Sequence, residues 1–225
     1  MVMYDRQTES WWQQFTGVGI VGEMTGVTLM QVPAGIIAFE DFAAAHPAGK
    51  VLSRDTGQVR SYGSTPYRGY DDINNVPFLF SDPIDSRLPA MERVLNISLN
   101  DVHRLYPFQI FENTPVINDQ IGDTPIVVMS KRGTLSVLDA SDINAARTIP
   151  SATAYSRSVG GETLMFERRD GAIVDIKTSS HWNLLGRAID GPLAGTQLST
   201  VPSGVHFAFA WLAFRPDSQI YTAKK

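Results

Sequence analysis

The pattern of hydrophobic and polar positions along this chain predicts short strands separated by tight turns. Two hydrophobic runs, residues 163–169 and 172–177, flank Asp170-Gly171, a dipeptide favoured in two-residue hairpin turns. Upstream, Gly160-Gly161 separates residues 152–159 from the same middle strand. The pattern therefore predicts a three-stranded antiparallel meander ahead of residue 178.

A second hairpin and two short helices are predicted elsewhere. Residues 126–129 and 135–138 are hydrophobic runs on either side of Lys131-Arg132-Gly133, which predicts another hairpin. Residues 40–46 and 209–215 each precede a proline, as the end of a helix should. The second of these helices is far more apolar, so we expect it to be buried more deeply.

One segment occurs twice in this chain. Asp5, Thr8, Ser10 and Trp12 recur 170 residues later, at positions 175, 178, 180 and 182. After a one-residue deletion, further identities follow 169 residues apart, from Gly17 and Gly186 to Pro47 and Pro216. Such self-similarity indicates an internal duplication.

Residues shared by both segments are interpreted as architectural. The glycines suit tight turns. Asp5 and Asp175 each lie three residues before a threonine and can accept local backbone hydrogen bonds in an Asx-type turn. Trp12 and Trp182 are expected to anchor a core.

The predicted fold is a mainly β domain with a few short helices, duplicated internally and antiparallel, in which the first repeat is truncated at its N-terminus. Residues 1–52 are the C-terminal half of the first repeat, and residues 101–225 are the complete second repeat. Residues 53–100 are loop-like and rich in aromatic and turn-forming residues, so we expect a crossover packed against both copies. Together these parts are expected to form one compact domain.

The two segments differ in what precedes them. Residues 2–4 align with residues 172–174, the last strand of the predicted meander, but the preceding hairpin partner is absent from the first copy. Either residues from elsewhere in the chain pair with this strand, or an upstream half-repeat is missing, and we favour the second. An unpaired edge strand can also promote a homodimer.

Composition and charge exclude several classes of protein. The chain of 225 residues has a formal net charge of −4 and no basic stripe, so nucleic acid is not an expected partner. No apolar run approaches the roughly 20 residues of a membrane helix. The absence of cysteine excludes disulfides, thiolate zinc sites and cysteine nucleophiles. We predict no cofactor.

The stretch Tyr67-Arg68-Gly69-Tyr70-Asp71-Asp72 is the most site-like part of the crossover. Aromatic faces beside an arginine and two carboxylates could hold a small polar ligand or a sugar. The hypothesis predicts a concave pocket lined by Tyr67, Tyr70 and Asp71 or Asp72. The alternative is that the tyrosines only fix the crossover to the sheets, and that Asp71 and Asp72 are solvated or capping residues.

Two histidines replace apolar residues between the copies and are further candidates. Trp11 is matched by His181, and Ile37 by His206. His206 precedes an aromatic helix, where it could be a ligand or a general base, although a satisfied core or rim histidine is the alternative. His181 should point to the opposite face from Trp182, so it is a weaker candidate for a site residue than His206.

Motifs for metal binding and catalysis are weak. The four histidines have no zinc-like spacing, so no metal site is predicted. Residues 17–22 satisfy Gly-x-Gly-x-x-Gly, but no helix pattern follows, which argues against a dinucleotide site. No nucleophile elbow is present, and no catalytic residue is assigned.

Several of these stretches resemble the domain-of-unknown-function 3179 family. They are residues 2–12, 62–72, 91–94 and 206–211, together with Tyr106-Pro107, residues 116–119 and Gly122. The resemblance covers nearly the whole chain and implies a bacterial or archaeal protein of a family in which many members are exported. It also implies an upstream half-repeat with a Cys-Pro-Leu-Cys-like segment and a nearby histidine, neither of which this sequence contains.

These observations lead to two expectations of function. The first is a non-catalytic binding or structural module that acts outside the cytoplasm on an unknown small ligand, although the chain has no signal peptide. The alternative is a fragment of an enzyme or metalloprotein whose reactive cysteine and histidine site lies in the missing upstream half. A catalytic site built on His206 is a third option, so whether the protein is an enzyme is left open.

Overall fold

The computed structural model describes residues 1–223, which form a mainly β structure with two short helices, as the sequence predicts. The α-helices are α1 (Phe39–Ala45) and α2 (Ala208–Leu212), and two 3₁₀ turns cover Phe108–Glu112 and Ile143–Ala145. In this part of the chain no helix is long and apolar enough to cross a membrane. The strands, in chain order, are β1 (Val2–Asp5), β2 (Ser10–Gln13), β3 (Val18–Val21), β4 (Arg93–Leu99), β5 (Val102–Pro107), β6 (Val116–Ile121), β7 (Thr124–Leu135), β8 (Thr148–Ser156), β9 (Ser158–Val159), β10 (Glu162–Thr163), β11 (Phe166–Arg169), β12 (Ala172–Asp175), β13 (His181–Trp182), β14 (Ser203–Phe207) and β15 (Gln219–Ile220).

Two sheets enclose the largest core. The central sheet has the strand order β14-β4-β5-β15, and a second sheet has the order β6-β7-β8. Alternate residues of β4, Leu95 and Ile97, point into the space between them and meet Ile117 and Val128 of the second sheet. Side chains of this size bury enough apolar surface to hold the two sheets together.

Both of these sheets also bury their outer faces. Val127 and Met129 of β7 pack against Trp182 in the sheet of order β11-β12-β13. Val94 of β4 packs against Trp211 of α2 on the opposite face of the central sheet. Helix α2 therefore contributes three buried residues and α1 none, which confirms that the second helix is the more buried one.

The local turn signals give mixed results. Asp170 and Gly171 have positive φ angles and join β11 to β12, which confirms the predicted hairpin. Gly160-Gly161 also forms a turn, but it joins the separate pair β9 and β10. The predicted three-stranded meander is wrong, because β8 pairs along its length with β7 and belongs to another sheet.

Two further expectations need correction. The predicted hairpin at Lys131-Arg132-Gly133 is wrong, because β7 runs through these residues and pairs there with β8, while its pairing with β6 ends at Met129. Gly133 has a φ of +121° and lies in a bulge at which the pairing register shifts. The predicted loop-like stretch, residues 53–100, is too long, since Arg93–Leu99 forms the central strand β4.

The two repeat segments, residues 2–47 and 172–216, contain the same local geometry. Met3 pairs with Trp12 and Ile173 with Trp182, positions that differ by 170. The amide of Leu29 donates to the carbonyl of Gly17 at 2.8 Å. The corresponding bond from Leu198 to Gly186, 169 residues later, is also 2.8 Å long.

The predicted Asx-type contacts form in both segments. Thr8 Oγ1 donates to Asp5 Oδ2 at 2.5 Å, and Thr178 Oγ1 donates to Asp175 Oδ2 at 2.7 Å. The amides of Gln7 and Thr178 donate to the same two carboxylates. Trp12 and Trp182 are both buried, as expected of core anchors.

Burial distinguishes the two segments. The outer edge of β12 pairs with β11, whereas no strand within residues 1–223 pairs with the corresponding edge of β1. Leu198 is 2% exposed and Val201 is 4% exposed, but their counterparts Leu29 and Val32 are 43% and 78% exposed. The same turn sequence therefore forms with and without a covering sheet.

This difference predicts unequal effects of the same mutation at matched positions. Leu198→Ala should lower the free energy of unfolding by about 2–5 kcal/mol, because it leaves a cavity in a closed core. Leu29→Ala, the matched control, should lower it by less than about 1 kcal/mol. Urea denaturation of both variants measures the difference, and equal losses would show that Leu29 is buried in solution.

Candidate functional site

A strip of polar residues lies on the outer face of the central sheet. Asn96 and Ser98 of β4 alternate with its core residues and point away from the large core. His103 of β5 pairs with Ser98, and His206 of β14 pairs with Val94, so both histidines share this face. We call Asn96, Ser98, His103 and His206 the polar strip.

Residues from the first repeat segment cover the polar strip. The ring of Phe15 lies with its centroid 4.9 Å from that of His206 and 5.7 Å from that of Trp211. Beneath this cover is a cleft of about 470 Å³, whose lining includes Gln14, Gln31 and Ser203. An adjoining cavity of about 350 Å³ reaches Ser98 and His103. The cleft is therefore formed between the two repeat segments.

Asn96 is the least satisfied residue of the polar strip. The residue is 3% exposed, and its Oδ1 accepts no hydrogen bond from the part of the chain that the structure describes. Its Nδ2 donates to Ser98 Oγ over a long 3.4 Å. A buried acceptor without a donor destabilises a protein by about 1–3 kcal/mol, so the lack of a donor for Asn96 Oδ1 requires a physical reason.

The absence of a side chain at Gly204 keeps open the space beside Asn96. A Cβ atom at this position would lie 3.0 Å from His206 Nε2 and 3.4 Å from Asn96 Oδ1. Both polar atoms therefore border the same small volume, in a cleft that Gly204 also lines. A ligand group placed there can reach both atoms.

The electrostatics favour neutral histidines in the polar strip. Burial lowers the pKa of His206. Burial and the nearby Arg215 also lower the pKa of His103, whose Nδ1 lies 2.8 Å from Ser98 Oγ, against opposing effects of Asp217 and Asp101. A neutral imidazole keeps one ring nitrogen as a hydrogen-bond acceptor near pH 7.

The crossover loop forms a different concave surface. Tyr67, Arg68 and Tyr70 line a groove of about 640 Å³ together with Val76 and Phe78. The two tyrosine ring centroids are 6.4 Å apart. We call this surface the tyrosine groove. It brings three of the predicted residues together, but Asp71 and Asp72 are not part of its lining.

Asp71 lies beneath the loop and anchors it. Its fully buried Oδ2 accepts a hydrogen bond from Ser136 Oγ at 2.5 Å. The same oxygen forms ion pairs with Nη2 of Arg93 at 2.7 Å and with Nη2 of Arg147 at 2.9 Å. Burial alone would raise the pKa of Asp71, but the hydrogen bonds from Ser136 and Arg93 and the two arginine charges outweigh it and lower the pKa. The carboxylate is thus held charged by the protein itself.

The remaining candidates occupy separate places. Asp72 accepts from the amide of Asn74 at 2.9 Å in an exposed turn. His181 Nδ1 lies 2.6 Å from Asp190 Oδ1 on the surface. His206 faces the cleft, whereas its neighbour Phe207 contacts Tyr70, so the cleft and the tyrosine groove lie on opposite faces of β14.

Several residues of the cleft are not predicted from the sequence. Asn96 and Ser98 belong to a strand within the stretch predicted to be loop-like, and Phe15 and Gly204 carry no chemical signature of their own. The available signal is the alternation of Asn96 and Ser98 with the apolar residues Leu95, Ile97 and Leu99. Within residues 1–223, no three His, Cys, Asp or Glu side chains are grouped closely enough to hold a metal ion.

The role of Asp71 as an anchor predicts a stability effect. Asp71→Asn should reduce the free energy of unfolding by about 3–5 kcal/mol, because it removes the fully buried carboxylate charge that the partly buried Arg93 pairs with. Asp72→Asn, the exposed control, should change it by less than about 0.5 kcal/mol. Urea denaturation at pH 7 checks both values, and a loss below 1 kcal/mol for Asp71→Asn contradicts the assignment.

Comparison with known proteins gives one match. No curated protein and no solved structure matches this chain. The model of the family described as "Protein of unknown function (DUF3179)" matches residues 1–218, which include the polar strip, the tyrosine groove and both repeat segments. Since the match covers almost the whole sequence, the chain belongs to the domain-of-unknown-function 3179 family.

Proposed function

We propose that the protein is a binding module that holds a small polar ligand in the cleft beside the polar strip. The observation that carries the proposal is the buried, unpartnered Oδ1 of Asn96, which borders the open space at Gly204. A ligand donor in that space supplies the missing hydrogen bond. Action outside the cytoplasm, which the family resemblance implies, is part of this proposal.

The form of the cleft supports binding. Its volume of about 470 Å³ is within the range of roughly 300–1,000 Å³ that small-molecule sites occupy. Phe15, Val32, Pro33 and Trp211 give it an apolar wall, against which a few polar groups converge. Such a combination of apolar surface and convergent polar atoms is the usual composition of a ligand site.

The tyrosine groove is the weaker candidate for the same role. Tyr67 and the hydrophobic residues Val76 and Phe78 are largely exposed there. The one carboxylate close to the loop that is fully buried, Asp71, already has protein partners. Among the described residues that line the groove, none has a buried polar side-chain atom without a partner.

Replacement of Asn96 tests the proposed site. Asn96→Leu keeps a similar volume but removes the acceptor, so ligand affinity should fall by about 5- to 100-fold, which corresponds to one buried hydrogen bond. Stability should be unchanged or higher, because an unsatisfied polar group is removed. A fragment library titrated into the protein, with the imidazole signals of His206 followed by NMR, measures the affinity.

The control for this experiment is Asn144→Ala, at an exposed position outside the cleft. It should bind fragments as the unmodified protein does. The proposal fails if no fragment shifts the His206 signals, or if Asn96→Leu and the unmodified protein bind the same fragments equally.

The unpaired edge of β1 supports a second candidate function, association of two chains. Val2, Met3 and Tyr4 are exposed along this strand, and edge strands of this kind pair readily with another chain. We propose a homodimer in which two β1 strands pair and join their sheets.

Charge placed on this edge should abolish the homodimer. Met3→Lys should shift the protein from dimer to monomer, because a lysine on an edge strand opposes pairing. Val21→Lys, at an exposed position on β3, is the control and should leave the dimer intact. Sedimentation velocity over a range of concentrations measures both, and a protein that is monomeric throughout disproves the homodimer.

A further inference from the structure

We infer that the ligand of the cleft is an uncharged ring that carries hydroxyl groups, the chemistry of a neutral saccharide. The inference rests on the proposed binding function and specifies its ligand class. Three features of the cleft carry it: the absence of charge from its lining, the pair of atoms at Gly204, and its aromatic wall.

The lining of the cleft excludes a charged ligand. Among the described residues that line it, none is Asp, Glu, Lys or Arg. A charged group would lose its hydration there without gaining a counter-charge. A cation would also meet the positive charge of Arg215 in the adjoining cavity, and an anion would face the lone pairs of Asn96 Oδ1.

One of the two polar atoms at Gly204, Asn96 Oδ1, requires a hydrogen-bond donor from the ligand. Asn96 Oδ1 can only accept, and it is unpartnered. His206 Nε2 borders the same space and, in a neutral ring, either accepts or donates according to its tautomer. Adjacent hydroxyls fit this pair because one can donate to Asn96 while the next donates to or accepts from His206.

The aromatic part of the lining suits the C–H face of a sugar ring. Phe15 is partly exposed at the cleft, and its ring packs beside those of His206 and Trp211. The negative face of an aromatic ring attracts polarised C–H groups and excludes water from them. A saccharide presents such a face on one side and hydroxyls at its rim, which matches the two kinds of surface in the cleft.

Matched sugars test the class of ligand. The probes are glucose, galactose and mannose with their disaccharides, each compared with the corresponding uronic acid and amino sugar. At least one neutral sugar should shift the His206 and Trp211 signals in NMR titrations. Its charged analogues should bind at least 10-fold more weakly.

A glycine pair tests the position of the ligand. Gly204→Ala places a methyl group in the proposed hydroxyl site and should weaken sugar binding at least 10-fold, while urea denaturation shows that the fold is intact. Gly35→Ala is the matched control, because its Cβ would make only ordinary contacts, the nearest 3.6 Å away at Thr153, outside the cleft. It should bind as the unmodified protein does.

The outcomes separate this inference from the function on which it rests. Tighter binding of a charged analogue overturns the neutral class but leaves the binding function standing. The same holds if no sugar binds while other fragments shift the His206 signals. Failure of every sugar and every fragment overturns both. Unaltered sugar binding by Gly204→Ala overturns the placement of the ligand at this glycine.

Discussion

The burial of β4 on both faces is the constraint on which the rest of the structure depends. Leu95 and Ile97 close the large core on one side, while Val94 meets α2 on the other. Further along the same face, Asn96 and Ser98 line the cleft and the adjoining cavity. Polar residues can occupy these positions because Phe15 of the first repeat segment and Trp211 of α2, rather than a closed apolar core, face them.

The two repeat segments show how one local structure serves two purposes. In the second segment, Trp182 and Leu198 are buried in a core that includes Val127 and Met129 of the neighbouring sheet, so its turns are part of a core. In the first segment, the same turns form without that cover, and their geometry depends on local hydrogen bonds such as the one from Leu29 to Gly17. The first segment is consequently available to place Phe15 over His206. Shared residues maintain the turns, and unshared residues such as Phe15 and His206 contribute to the lining of the cleft.

Sequence patterns correctly predict the elements whose structure depends on interactions between residues close together in the chain. The Asp170-Gly171 hairpin and the approximate positions of both helices follow from turn and helix-end preferences. Gly133 suggests a hairpin because a glycine bulge and a hairpin turn look alike in sequence, and only the continued pairing of β7 with β8 decides between them. His206 was identified because the repeat offered an apolar counterpart. Asn96 is not predicted as a site residue because its polar side chain makes a central strand resemble a loop. The same polarity makes it a candidate for ligand binding.

Among the described residues, two buried carboxyl or carboxamide oxygens lack a partner, and the difference between them distinguishes anchor from site. Asp71 Oδ1 belongs to a carboxylate whose other oxygen accepts from Ser136 and forms ion pairs with Arg93 and Arg147, which neutralise its charge. Its surroundings are complete without a ligand, since the net charge of the group is compensated. Asn96 Oδ1 has no such compensation, because its amide makes one long hydrogen bond and no charged side chain lines the cleft. A protein can retain an unpaired buried oxygen when a bound ligand donates a hydrogen bond to it. This argument favours the cleft over the crossover loop as the ligand-binding site.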